Sequence, residues 1–411
     1  MNSKLSVTIF SLLLISLMIM QPALIAADFP NSKANKIQDQ YIVILSDDSD
    51  LQNEIGKAKA KGAEVIQEYK HAIKGFAVKV NNDKVLENIK KNNPSISYIE
   101  PDYEMKTFAQ TIPTGINRID GDLSSTISGN NNHSVNVDIA IIDTGVDLTH
   151  PELNVFKNIS FVKGVKKGND DNGHGTHVAG TAAAKDNLVG VVGVAPDARI
   201  WAVKVLDRSG SGYLSDVIKG IDYVTANAVQ IEVANMSLGC QCNSAAMNTA
   251  IANSVAAGVT YVVAAGNNAM DASTFSPANH PDVIAVSAIA DSDGKCGGIG
   301  PSTGYGADDT FASFSNFGSV VDIEAPGVNI YSTWKNGAYN TISGTSMASP
   351  HVAGAAALFK ATHTLATPAD VRNSLLSNGS TPSSICNGHG FGYFTGDKDT
   401  ISEPLVYVRN Y

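Results

Sequence analysis

The stretch VDIAIID, residues 137–143, is apolar at every position except Asp138 and ends on a second acid. A strand with one wet face alternates apolar and polar residues, whereas this one reads as covered on both sides. The same pattern recurs in IWAVKVL at 200–206, VANMSLG at 233–239, TYVVAAG at 260–266 and DVIAVSAIA at 282–290. Helix-like stretches lie between and after them, at 174–184, 213–229, 243–257 and 346–362. Such alternation predicts an α/β fold, a mainly parallel central sheet with helices on both faces. Functional groups in these sheets gather outside the carboxyl ends of the strands. Asp143, Ser237 and Asn267 all fall at or just past such ends.

Upstream the composition differs. Residues 41–45 (YIVIL) read as a strand, 50–62 as a charged helix, then VIQEYK and GFAVKV at 75–80 as strands, 82–92 as a helix and SISYIEPD as a strand. This βαββαβ order predicts a small α+β ferredoxin-like domain. It is rich in Lys, lacks Arg and carries no catalytic constellation. The predicted division is a leader at 1–27, this domain at 28–108 and the large α/β domain at 109–411.

The net charge of the 411-residue chain is -10, and almost all of the acidic excess follows residue 109. That excludes nucleic acid as an expected partner, since phosphate binding needs a basic stripe. At the N-terminus, Lys4 precedes an apolar run from Leu12 to Met20, then Pro22 and a small-residue cluster ending Ala26-Ala27. This order is that of a secretory signal, and the run is shorter than the ~20 residues of a membrane span. The expectation is a secreted, extracellular protein with no span after signal removal. Four cysteines suit disulfides in an exported chain. Cys240 and Cys242 stand too close to favour each other, so each is expected to pair with Cys296 or Cys386, in either of two ways. A Cys-X-Cys zinc site is disfavoured because no second close Cys or His pair completes it.

Three segments carry the chemistry. Asp143 ends a strand in IAIIDTGVD, His174 opens HGTHVAGT, and Ser346 lies in GTSMASPH. An imidazole removes a hydroxyl proton, a carboxylate fixes the imidazole's tautomer, and the hydroxyl attacks a carbonyl. Each residue alone has a plainer reading: a turn acid, a surface histidine, a helix N-cap. Their conjunction, with Gly, Thr and Ala around each, favours catalysis. His177 follows His174 by three residues, but zinc proteases need H-E-x-x-H, so packing or hydrogen bonding is expected of it. An aspartic protease would need a second Asp-Thr-Gly or Asp-Ser-Gly, and the chain has none.

In this order, DTG, HGTHVAG, MSLG, AAGNN and GTSMASPHVAG resemble the signature segments of the subtilisin-like serine proteases, the subtilases. The resemblance spans residues 109–411, and 41–108 is similar to the family's inhibitory propeptide. It implies that Asp143 orients, His174 is the general base and acid, Ser346 is the nucleophile, and Asn267 donates its amide to the oxyanion. It implies that Ser211, Gly212, Ser237, Leu238 and Gly239 flank the substrate backbone. Ala264, Ala265 and Gly266 would wall the specificity pocket. NNAMDASTFSPANHP looks closer to the proteinase K branch and would put Phe275 at the pocket's edge.

The resemblance also implies structural calcium. KDNLVGVVGVAP at 185–196 is similar to the family's calcium loop, with ligands matching Gln110, Glu152, Asn187 and the carbonyls of Lys185, Val189 and Val191. Glu152 departs from the family's usual Asp. A second set would be the carbonyls of Pro281 and Val283 with Asp322. The family's boundary falls after Phe108 and before Ala109, leaving Met105-Lys106-Thr107-Phe108 as a product-like end. The expectation is a monomeric serine endopeptidase, made as a self-processed zymogen, with its own propeptide as chaperone and inhibitor. A catalytically idle binding module and a small-acyl esterase or amidase are the alternatives. Residues 386–411 depart from the family and yield no function.

Overall fold

A computed structural model describes residues 36–103, 110–131 and 134–411. The leader and the Phe108–Ala109 junction lie outside the described residues. The chain divides into two units, Met1–Thr107 and Phe108–Tyr411.

The first unit comprises β1 (Lys36–Leu45), α1 (Leu51–Ala60), β2 (Glu64–Tyr69), β3 (Gly75–Lys79), α2 (Asp83–Lys90) and β4 (Ile96–Tyr103). Its antiparallel sheet runs β2-β3-β1-β4. Asp50 and Asn82 cap the two helices by accepting backbone N–H bonds, which satisfies donors that a helix start leaves over. Val43, Leu45, Ile55, Phe76, Val78 and Ile89 form its core. The expected βαββαβ order is present.

The second unit opens with α3 (Thr114–Arg118), β5 (Asp138–Asp143), β6 (Val155–Ser160), α4 (His174–Ala183) and β7 (Arg199–Lys204). Next come α5 (Leu214–Ala226), β8 (Val233–Met236), α6 (Ala245–Ala256), β9 (Thr260–Ala264) and β10 (Ile284–Ala290). It ends with β11 (Thr310–Phe311), β12 (Ile323–Pro326), the hairpin β13 (Ile330–Trp334) and β14 (Ala338–Ile342), α7 (Thr345–Thr362) and α8 (Pro368–Asn378). The sheet order is β11-β10-β9-β8-β5-β7-β6, with β12 beside β10. All its pairings are parallel except β10 with β11.

The two-faced burial read from VDIAIID is literal. Ile139 and Ile141 pack with α4 and α7, while Ala140 and Ile142 pack with α5 and α6. Each face therefore holds an apolar layer, and the polar strand ends point to one rim. The sequence reading omitted α3, β6, β11, β12, the hairpin and α8. β6 is an edge strand carrying Lys157 and Asn158 with no buried residue, so it has no apolar run to reveal it. α8 did carry a sign: Thr367 and Asp370 form a capping box, with Pro368 in the first turn.

The cysteine expectation is corrected. Cys240 bonds Cys242 and Cys296 bonds Cys386. A tight turn, in which the Cys242 N–H donates to the Cys240 carbonyl, holds those Cα atoms 5.3 Å apart, an ordinary disulfide separation.

Candidate active site

β5 delivers Asp143 fully buried at its carboxyl end, and α4 begins with His174. His174 Nδ1 lies 2.8 Å from Asp143 Oδ1. Because a carboxylate only accepts, Nδ1 carries the proton and Nε2 keeps its lone pair. α4 approaches closely because Gly175 has no side chain: a Cβ there would come within 2.1 Å of the Gly145 carbonyl. The helix start is fastened by buried Asp170, whose carboxylate accepts from the N–H groups of Asn172, Gly173 and Thr176 and from the hydroxyls of Thr144 and Thr176. Burial alone would pull the His174 imidazole down. The charge and hydrogen bond of Asp143, with the charge of Asp170, outweigh it and hold the pKa above the ordinary 6.5.

Ser346 is the second residue of α7, where backbone N–H groups have no intrahelical acceptor. Pro350 explains part of its setting. Proline has no N–H, so the Ser346 carbonyl, four residues earlier, lacks its helical partner. The Ser237 hydroxyl fills that role at 2.8 Å, itself accepting from Asn235, whose Oδ1 accepts from Ser349. The Ser346 hydroxyl donates to the Ser237 carbonyl at 3.2 Å rather than to His174. Asn267 is oriented by Thr345, whose N–H and hydroxyl both donate to Asn267 Oδ1, at 2.8 and 2.9 Å. The amide nitrogen is thereby left to donate elsewhere.

Two adjoining cavities, of about 670 and 270 Å³, share Leu238, Gly239, Cys240 and Ser276 as walls. His174, Ser211, Gly212 and Ser237 line the larger. Ala264, Ala265, Gly266, Asn267, Phe275 and Ser346 line the smaller. Serine, histidine and carboxylate so disposed suit acyl transfer.

Comparison with known proteins bears on this geometry. The model of the subtilase family matches residues 134–392, and that of the peptidase inhibitor I9 family matches residues 25–108. Subtilisin NAT of Bacillus subtilis subsp. natto is 40% identical over 321 residues, which covers 77% of this chain and 78% of the relative. The chain belongs to the subtilase family. An alkaline protease of Alkalihalobacillus alcalophilus is 39% identical over 310 residues, covering 75% of each chain. The crystal structure of a cold adapted subtilisin-like serine proteinase matches with a TM-score of 0.57 at 37% identity, covering 72% of this chain and 97% of that one. This subtilase is a serine endopeptidase with an I9 propeptide domain, an arrangement consistent with a zymogen, and its substrates are proteins. No helix among its described residues is long and apolar enough to cross a membrane.

The first calcium set of this subtilase fits a hard cation. Gln110 bridges the carbonyls of Lys185 and Val191 with its amide nitrogen, at 2.7 and 3.1 Å. Its buried Oε1 has no hydrogen-bond partner among the described residues. Glu152 Oε1 accepts from Asn187, and its Oε2 accepts from the Val191 N–H. Val189 lies in the same loop, its N–H donating to Asn187 Oδ1. The longer Glu152 arm thus reaches the loop. Burial raises its pKa, the cost a cation would remove. The second set is corrected. Asp322 accepts from the Ala285 N–H through one oxygen, and the guanidinium of Arg372 occupies the other. At Asp322, the acid of the set expected with Pro281 and Val283, an arginine already supplies the positive charge.

His177 is no ligand. It is fully buried with Nε2 2.9 Å from the Ile330 carbonyl, and burial pushes its pKa down to about 3. Sequence reasoning missed Asp170, Thr345 and Asn316. The acid just before a helix start was a sign for Asp170. Asn316 donates to the Ala265 carbonyl and accepts from the N–H groups of Asn268 and Met270, shaping the pocket loop. Gly266 is required there, with φ of +109° and a Cβ that would meet Asn316 at 2.4 Å. No local pattern pointed to a residue 48 positions beyond the loop it holds.

Proposed function

We propose that this subtilase cleaves peptide bonds through an acyl-enzyme on Ser346. The observation that carries the reading is the 2.8 Å bond from His174 Nδ1 to buried Asp143, which leaves Nε2 free to accept a proton. The Ser346 hydroxyl turns from the Ser237 carbonyl toward Nε2 and attacks the substrate carbonyl as its proton passes to the imidazole. The oxyanion takes hydrogen bonds from Asn267 Nδ2 and the Ser346 N–H. The imidazolium then protonates the leaving amine, and water repeats the sequence to release the acid. Ser211-Gly212 and Ser237–Gly239 bind the substrate backbone, a mode that tolerates many sequences. Ala264, Ala265, Gly266 and Phe275 favour a large apolar residue before the cut.

The chain is exported by a leader at 1–27 and works outside the cell as a monomer. The pro-segment, 28–108, aids folding, inhibits the enzyme and is removed by self-cleavage between Phe108 and Ala109. Calcium at Gln110, Glu152, Lys185, Asn187, Val189 and Val191 supplies loop stability and no bond-breaking chemistry. Ligand present at 100 times its Kd stabilises by about 2.7 kcal/mol, so a chelator lowers the thermal midpoint.

The test compares wild type with Ser346→Ala by intact mass and N-terminal sequencing of secreted material. Wild type begins at Ala109, and the variant accumulates as the 28–411 precursor. A mature chain starting beyond Asp120 removes the junction assignment. A fluorophosphonate labels Ser346; absence of label favours an idle binding module. Casein is digested, whereas an esterase would spare it and turn over only short esters.

A further inference from the structure

The C-terminal stretch contains DKDTISE, residues 397–403, with acids at alternate positions 397 and 399 and again at 403. Its two ends are pinned to the sheet. The Thr395 N–H donates to the Asp309 carbonyl and the Phe311 N–H to the Thr395 carbonyl, beside β11. The Glu324 N–H donates to the Pro404 carbonyl and the Val406 N–H to the Glu324 carbonyl, on β12. The segment between these rungs therefore closes over the side chain of Glu324. One oxygen each from Glu324, Asp397 and Glu403 lies within 4.8 Å of the others.

Glu324 is fully buried, and neither of its carboxylate oxygens has a hydrogen-bond partner among the described residues. Asp397 Oδ2, Asp399 Oδ2 and Glu403 Oε1 are likewise buried and without partners there. None of the four forms an ion pair with a described residue. Lys398, between the aspartates, turns away to the Ser313 carbonyl. Arg118 is committed to Asp309 and to the carbonyls of Gly390, Gly392 and Tyr393. A second acidic group in the molecule, Asp291, Asp293 and Asp308, differs on this point. There the Arg118 guanidinium stands 3.9 Å from Asp291 and supplies a positive charge. A buried carboxylate without donors or counter-charge costs several kcal/mol or more.

We propose that Glu324, Asp397, Asp399 and Glu403 hold a divalent cation, best matched by calcium. The donors are all oxygen, with no thiolate or imidazole in the group, which disfavours zinc. Calcium takes oxygens at about 2.4 Å, so ligands on opposite sides stand about 4.8 Å apart, and the oxygens of Glu324, Asp397 and Glu403 all lie within that distance of one another. Glu324 offers both oxygens, and three more acids stand on a loop able to adjust, whereas magnesium demands a near-ideal octahedron. The bound ion ties the 397–403 loop to β12 and so fastens the C-terminal segment onto the sheet edge. This assignment stands apart from the loop of Gln110 and Glu152.

The test uses the full chain carrying Ser346→Ala, to prevent self-digestion, with calcium as the probe. Native mass spectrometry counts ions, and thermal midpoints are read in calcium and in EDTA. Glu324→Gln is expected to remove one ion or weaken it roughly tenfold or more, the scale seen even when only a group that orients a metal ligand is lost. Glu152→Gln leaves that ion in place. The midpoints should cross: Glu324→Gln melts below its parent in calcium, where it has lost a ligand, and above it in EDTA, where it has lost a buried charge. Asp399→Asn, at a half-buried position, checks the count if Glu324→Gln does not fold. An unchanged ion count in both variants, or an equal midpoint offset in calcium and EDTA, overturns the proposal in favour of carboxyls that share protons.

Discussion

Asp143 and Glu324 are both fully buried carboxylates on strands of one sheet, and the fold treats them in opposite ways. Asp143 Oδ1 receives the Thr144 N–H at 2.6 Å and the His174 imidazole at 2.8 Å. Its neighbour Asp170 receives five donors. Glu324 receives none among the described residues and is surrounded by further acids. Burial raises the energy of any bare charge, so the sheet either brings donors to it or leaves it to be neutralised from outside. At the first rim the donors are the catalytic machinery itself. At the other, the missing donors are what mark a ligand site.

The largest effect that would break this contrast is expected at Asp143. Asp143→Asn keeps size and one acceptor but offers an amide to the imidazole, which reverses its tautomer. kcat on a chromogenic peptide should fall about 10⁴-fold while the thermal midpoint moves little. A loss below tenfold would mean that the bond to His174 is structural only. The same bond sets the pH profile. A protonated imidazole cannot accept the serine proton, and the His174 pKa is raised by Asp143 and Asp170. kcat/KM of wild type should therefore climb through an apparent pKa above 6.5 as pH increases.

Next in size is Asn267→Ala. It removes an oxyanion donor and the acceptor that orients Thr345. kcat should drop about 10²–10³-fold, a magnitude known for subtilisin itself, with KM nearly unchanged. A change confined to KM would make Asn267 a wall of the pocket rather than a partner of the transition state.

Much of this was legible in the sequence because it is local. Strands buried on both faces announced themselves as unbroken apolar runs, and α4 and α7 as Gly- and Ala-rich segments beside His174 and Ser346. The edge strand β6 was illegible because half-exposed residues carry no such run. Asn316 and Asp170 act on groups brought to them by folding, and only Asp170 sat where helix chemistry could suggest it. The cysteines show the limit of arguing from spacing alone, since a turn at Cys240–Cys242 closed a pair that separation had argued against. Glu324 reads in sequence as one acid in IEAP; its meaning comes from a loop more than seventy residues later.

The smallest expected effect concerns buried groups that the fold keeps neutral. His177 and His351 have no exposed surface, and burial lowers their pKa values to about 3 and about 4. Unfolded, each imidazole titrates near 6.5. Below that pH the unfolded chain takes up protons that the native state refuses, so stability falls as pH falls. The limiting slope is about 1.4 kcal/mol per pH unit for each group, ending near the native-state values. Urea unfolding of the Ser346→Ala chain at pH 7 and pH 5 measures it. His177→Gln, able to keep a donor toward the Ile330 carbonyl, should remove about half of the slope these two groups contribute. If the variant loses stability with pH as steeply as its parent, His177 is charged in the native state. Its burial would then need an acid partner, as His174 has in Asp143.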